Sequence, residues 1–256
     1  MCRLSSIPFR ELGSVEGQAE MVLLTTDTLY KETKDIKLGL KKLRPPFSEL
    51  ADWIVIQYRA AVLNITLSHL KSGKQPNLNI VVERPADSRR LCTVNDYRCD
   101  KDKQLVIVET LEELIWRESR PTQKSIQKAR RLHEQKQINL DDTVVYIDVF
   151  EPVAKQEVNM QISKLDLAAL QKELSMEELW TISQGVVSPV FFLYTDEQVA
   201  RFDAQGIKER FAEKYLALLT KRDPFGYFDR GDFEVLLDSK ENFERAYSGN
   251  WYYYYK

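Results

Sequence analysis

"VLNITLSH" (62–69) and "LNIVVE" (78–83) decide the fold class. In the first, Leu63, Ile65 and Leu67 alternate with Asn64, Thr66 and Ser68, the period of two that a half-buried strand requires. "SGKQPN" between the two runs supplies turn residues, so together they predict a β-hairpin. Just upstream the period is helical. In "RPPFSELADWIVIQY" (44–58), Phe47, Leu50, Ala51, Ile54 and Tyr58 recur on one face. Proline is tolerated in the first turn, where a missing N–H breaks no intrahelical bond. Downstream, "QLVIVET" (104–110) predicts a third strand, closed by "LEELIWRE" as a helix.

The second half reads in the same way. "TVVYIDVFE" (143–151) predicts a strand and "EVNMQI" (157–162) a partner for it. Ser163 with Asp166, Ser175 with Glu178 and Thr195 with Gln198 have the spacing of capping boxes, in which side chains satisfy the open N–H groups of a helix start. They mark "SKLDLAALQKEL", "SMEELWTIS" and the segment after Thr195 as helices. "VVSPVFFLYT" and "FEVLLD" predict strands, "QGIKERFAEKYLALLTK" and "SKENFERAY" helices, and the terminal "WYYYY" a last strand. Hairpins mixed with helices argue for an α+β fold, with mixed, largely antiparallel sheets and helices packed on their faces. The expected division is an N-terminal segment 1–44 with one strand-like run, "MVLLTT" (21–26), then a helix plus three-stranded unit at 45–118. A basic connecting helix at 119–140 and a second α+β unit at 141–256, ending in the aromatic strand, complete it. No internal repeat is visible.

Composition excludes more than it identifies. Of 256 residues, 43% are hydrophobic and 30% charged, enough for a core, and the formal net charge of -2 favours no polyanion in bulk. No apolar run approaches the roughly 18 residues of a membrane span, and the N-terminus lacks the apolar centre of a secretory signal. Three cysteines, an odd number and widely spaced, make no disulfide framework. A soluble, cytoplasmic protein with no membrane partner is expected.

Reaction chemistry is sparse. Of the two histidines, His69 closes an alternating strand and His133 sits among charges on the connecting helix, and no serine lies in a nucleophile elbow. His69, Cys92 and Cys99 lack the paired spacing of a zinc site, although the two cysteines could oxidise to each other. Nine glycines form no phosphate-binding loop. "DPFGYFDRGDFE" (223–234) has the length of an EF-hand loop, but Phe228 stands where glycine is required. The order helix, three strands, helix at 45–118 is shared by restriction-type nucleases and by double-stranded-RNA-binding modules. The residues do not follow that analogy. Glu109-Thr110-Leu111 lacks the lysine of Glu-x-Lys, Asp148, Glu151 and Lys155 have another spacing, and "LEELIWRE" begins acidic. No catalytic residue, metal or cofactor is assigned, and the reading leans away from an enzyme.

Two surfaces remain. Trp251, Tyr252, Tyr253, Tyr254 and Tyr255 follow an acidic approach, seven Asp/Glu against three Lys/Arg between Asp223 and Tyr247, which includes Asp229 and Asp232. Trp and Tyr are typical interface anchors, and the acids would steer a basic partner. The expectation is a non-enzymatic protein of inhibitor, immunity or adaptor type that docks a protein partner on this acidic-aromatic surface. The alternative is nucleic-acid binding or processing through the basic segments 31–44 and 117–136, with Lys124, Lys128 and Arg131 spaced along one helical face.

Overall fold

A computed structural model describes residues 23–68, 76–92, 97–118, 140, 143–174, 178–185, 188–231 and 233–256. The chain divides into two compact units, one formed by residues 22–154 and the other holding residues 155–256.

In the first unit, α1 (Thr28–Lys37) and α2 (Phe47–Tyr58) precede the hairpin β1 (Val62–Ser68) and β2 (Asn77–Val82). Helices α3 (Pro85–Leu91) and α4 (Lys101–Glu118) then lead to β3 (Val144–Val149), which runs straight into α5 (Phe150–Met160). The sheet order is β1-β2-β3, the first pair antiparallel and the second parallel. One face carries Ile65, Leu78, Ile80, Val82, Val145 and Ile147, which bury against Leu50 and Ile54 of α2 and Ile107, Leu111 and Leu114 of α4. The other face carries Asn64, Asn79 and Asp148, which alternation along a half-buried strand would leave in water. All three are buried, and the Asn64 amide donates to Thr33 Oγ1 of α1.

The second unit contains α6 (Lys164–Leu174), the hairpin β4 (Leu179–Ser183) and β5 (Val190–Leu193), α7 (Asp196–Ala204), α8 (Ile207–Thr220), β6 (Leu236–Ser239), α9 (Lys240–Tyr247) and α10 (Trp251–Tyr254). Its sheet is again one antiparallel and one parallel pair, in the order β4-β5-β6. Phe191, Leu193, Phe211 and Tyr215 lie in the cluster on one face, with Phe191 and Phe211 stacked at 4.6 Å. Val190, Phe192 and Phe243 form the cluster on the other.

The two units therefore repeat one plan of helix, hairpin, two crossover helices, parallel strand and helix, although the sequence shows no repeat. The correspondence reaches single residues. Each hairpin has a register shift one step after its first pair, between Val62 and Asn64 and between Leu179 and Thr181. The crossover begins in both with a backbone N–H bound by the side chain three residues on, Arg84 to Asp87 and Thr195 to Gln198. Arg90 reaches Arg59 O, just before β1, while Arg201 reaches the Glu178 carboxylate, just before β4. Glu151 N–H donates to Glu83 O, as Glu241 N–H does to Tyr194 O. Asp148 and Asp238 occupy the same position on the third strand of each sheet.

Local readings differ from the structure in five places. "QLVIVET" is helical, because within Lys101–Glu118 its apolar residues continue at Leu111 and Leu114 with a helix period. "EVNMQI" lies mostly in α5, where Val153, Ala154 and Val158 share one stripe, so the partner of β3 is β2. "SMEELWTIS" ends in β4 rather than a helix, and the described part of "MVLLTT" is not strand. The aromatic end is a helical turn rather than the strand expected to close a second unit at 141–256.

Candidate functional site

Two devices turn the aromatic end away from a strand. Ser248 and Gly249 both take positive φ, and the Gly249 N–H donates to Phe243 O, which closes α9. The Asn250 side chain then accepts the Tyr252 N–H at 2.9 Å and starts α10. A strand would set Trp251, Tyr253 and Tyr255 against Tyr252 and Tyr254, but a helical turn sorts them by threes and fours.

The rings follow the helical sorting. Trp251 packs 4.2 Å from Phe243 and stacks with Trp180, while Tyr254 meets Phe192 and Tyr247 edge-on. The Tyr254 hydroxyl donates to Asp238 Oδ2 at 2.7 Å, and the Tyr255 hydroxyl donates to Ser183 Oγ. Burial pushes both phenols above the ordinary tyrosine range, and for Tyr254 the Asp238 carboxylate adds to the rise, so both are neutral donors. Tyr252 and Tyr253 point the other way, 68% and 57% exposed, packed edge-to-face on each other at 5.6 Å. Lys256 Nζ stands 5.9 Å over the Tyr252 ring, and Lys240 Nζ stands 5.5 Å over Trp180.

Asp229 is exposed and accepts the Gly231 N–H. The loop that carries it anchors through Phe228 and Phe233 in the cluster around Phe191 and Tyr215, whereas Trp251 and Tyr254 pack with Phe192 on the other face. Asp229 thus lies on a loop held at the Phe191 face of the sheet. Asp232, Lys124, Lys128 and Arg131 lie outside the described residues. Within the basic segment 31–44, Lys37 pairs with Glu83 at 2.8 Å and Lys41 with Asp35 at 3.2 Å.

Sequence reading weighed Asp148 only for nuclease spacing and missed its burial. It is 5% exposed on β3, and burial pushes its carboxyl up to about 6, with Asp27 adding to the rise and the Leu23 N–H opposing it. On the same face, Asn79 Oδ1 is buried and has no hydrogen-bond partner among the described residues. The comparison with Asp238 explains the position. In each unit this aspartate binds a segment that covers the sheet, through Leu23 N–H in the first and Tyr254 Oη–H in the second. Its signal in the sequence is the shared Asp-x-x-Glu of "DVFE" and "DSKE", which is too short to recognise unaided.

Among the described residues, no group of three His, Cys, Asp or Glu is placed to hold a metal ion, and no helix is long and apolar enough to cross a membrane. No known protein family, curated protein or solved structure matches the chain.

Proposed function

We propose that this protein works by protein–protein contact, as an inhibitor, immunity protein or adaptor, with Tyr252 and Tyr253 as the anchor for an arginine- or lysine-bearing segment of its partner. The observation that supports this most is the division of the aromatic run. Trp251, itself 40% exposed, Tyr254 and Tyr255 make contacts inside the unit that hold the turn in place, while the adjacent Tyr252 and Tyr253 are displayed further. Rings held before binding lose little conformational entropy on contact. A basic partner suits the ring faces of Tyr252 and Trp180, which already hold the chain's own Lys256 and Lys240, and the exposed carboxylates of Glu241 and Glu244, paired with Arg245 and Lys240. A cytoplasmic setting belongs to the same proposal.

The test is an array of arginine-rich, lysine-rich and glutamate-rich peptides probed with the intact chain. Binding to the basic peptides that drops about tenfold in Tyr252→Ala/Tyr253→Ala, and not in Leu165→Ala at an exposed position of α6, supports the proposal. Equal binding by both variants, or no preference for basic peptides, overturns it. A mobility shift with duplex RNA or DNA that survives the tyrosine substitutions would favour the nucleic-acid alternative instead.

A further inference from the structure

Cys92 and Cys99 are seven positions apart in sequence but directly opposite each other in an isolated antiparallel bridge. Cys92 ends α3, its N–H held by Ser88 O at 2.9 Å. The Asp100 N–H donates to Leu91 O at 2.9 Å, so the hydrogen bond flanks the cysteine pair instead of joining it. Opposed residues of that kind have Cα atoms about 4.5 Å apart with side chains on the same side, and a disulfide usually spans about 4.4–6.8 Å. Cys92 is partly exposed, Cys99 is 4% exposed, and no disulfide joins them.

We propose that Cys92 and Cys99 are a reversible dithiol–disulfide couple, oxidised by low-molecular-weight disulfides such as glutathione disulfide. The order of events follows from exposure. The Cys92 thiolate attacks one sulfur of the oxidant, the oxidant's S–S bond breaks, and one thiolate leaves. The Cys99 sulfur then gives up its proton and attacks Cys92 Sγ, expelling the second thiolate as the internal bond forms. Two protein thiols lose two electrons and two protons, and the oxidant becomes two thiols.

The surroundings of Cys99 suit the second role. Burial pushes its thiol up to about 12, the neighbouring Cys92 adds to the rise, and its S–H donates to Leu91 O at 3.4 Å. It is therefore inert toward outside reagents. Once Cys92 carries the mixed disulfide its charge is gone, and the second cause of the rise disappears as Cys99 must ionise. Bond formation would also fasten residues 97–99 to the end of α3. Those residues run beside β3, with Cys99 N–H on Val145 O at 3.0 Å, Ile147 N–H on Tyr97 O at 2.8 Å and Arg98 opposite Tyr146.

The experiment is incubation of the full-length Cys2→Ser protein in glutathione redox buffers, read by intact mass and peptide mapping, with circular dichroism as the check on folding. An internal Cys92–Cys99 bond, reversed by dithiothreitol and with no lasting adduct, supports the proposal. Cys99→Ser should accumulate glutathione on Cys92, and Cys92→Ser should react at least about tenfold more slowly. A lasting adduct on Cys92 with Cys99 present, comparable labelling of folded Cys92→Ser, or two unreacted thiols would each overturn it.

Discussion

Replacing Asp148 by asparagine is expected to stabilise the protein at neutral pH and to change little in acid. The folded chain holds the Asp148 proton more tightly than the unfolded chain does, since burial raises its pKa from the ordinary 3.8 to about 6. Stability contributed by the protonated form is thus present in acid and lost as pH rises through that window. At roughly 1.4 kcal/mol per pKa unit, the rise corresponds to about 3 kcal/mol by neutral pH. Asparagine carries no charge to desolvate, and its Oδ1 can still accept the Leu23 N–H. Urea titrations of both proteins at about pH 4 and about pH 7.5, followed by circular dichroism, give the difference directly. The variant should match the wild type at the lower pH and exceed it by about 2–3 kcal/mol at the higher. A variant less stable than the wild type at neutral pH, or a gap equal at both, would refute the assignment of a carboxyl penalised by burial.

Tyr254→Phe removes the hydroxyl that binds Asp238 and should cost about 1.5–3 kcal/mol in the same titration, whereas Tyr253→Phe should stay within about 0.5 kcal/mol. Phe192→Ala empties a fully buried site ringed by Trp180, Phe243, Trp251 and Tyr254, and should cost about 3–5 kcal/mol. Gly185 has φ +64, and an added Cβ would lie 2.0 Å from Ser188 O. Gly185→Ala should therefore lower the thermal midpoint and cost more than about 1 kcal/mol.

The α+β class was legible because hairpin signals and helix caps are local. Ser163 and Asp166 bind reciprocally and Thr195 binds the Gln198 N–H, as their spacing predicts. "QLVIVET" and "EVNMQI" misled for a different reason. A window of six or seven residues cannot separate a strand from one face of a longer helix, and only the flanking apolar positions settle it. β4 was hidden by its bulge, which places Leu179 and Ile182, three apart, on one face and gives a strand the spacing of a helix. The repeat was hidden because its rules act on backbone geometry and position. Thr195 and Arg84 start equivalent helices, and Leu91 and Phe202 fill equivalent buried positions, with different side chains. The displayed and anchored tyrosines could be told apart only once the aromatic end was known to be a helical turn. That turn depends on Ser248, Gly249 and Asn250 rather than on the rings themselves.

The short strip at 97–99 has a bearing on aggregation. "VVYIDV" of β3 combines β-branched and aromatic residues with a single charge, and that charge is the buried Asp148. A segment of this composition with an open edge is a template on which a strand of another chain can pair. Tyr97 and Cys99 occupy hydrogen-bonding positions of that edge, Tyr97 accepting from Ile147 and Cys99 donating to Val145. The strip therefore fills that edge of β3, and whatever loosens its hold should shorten the lag before aggregates form.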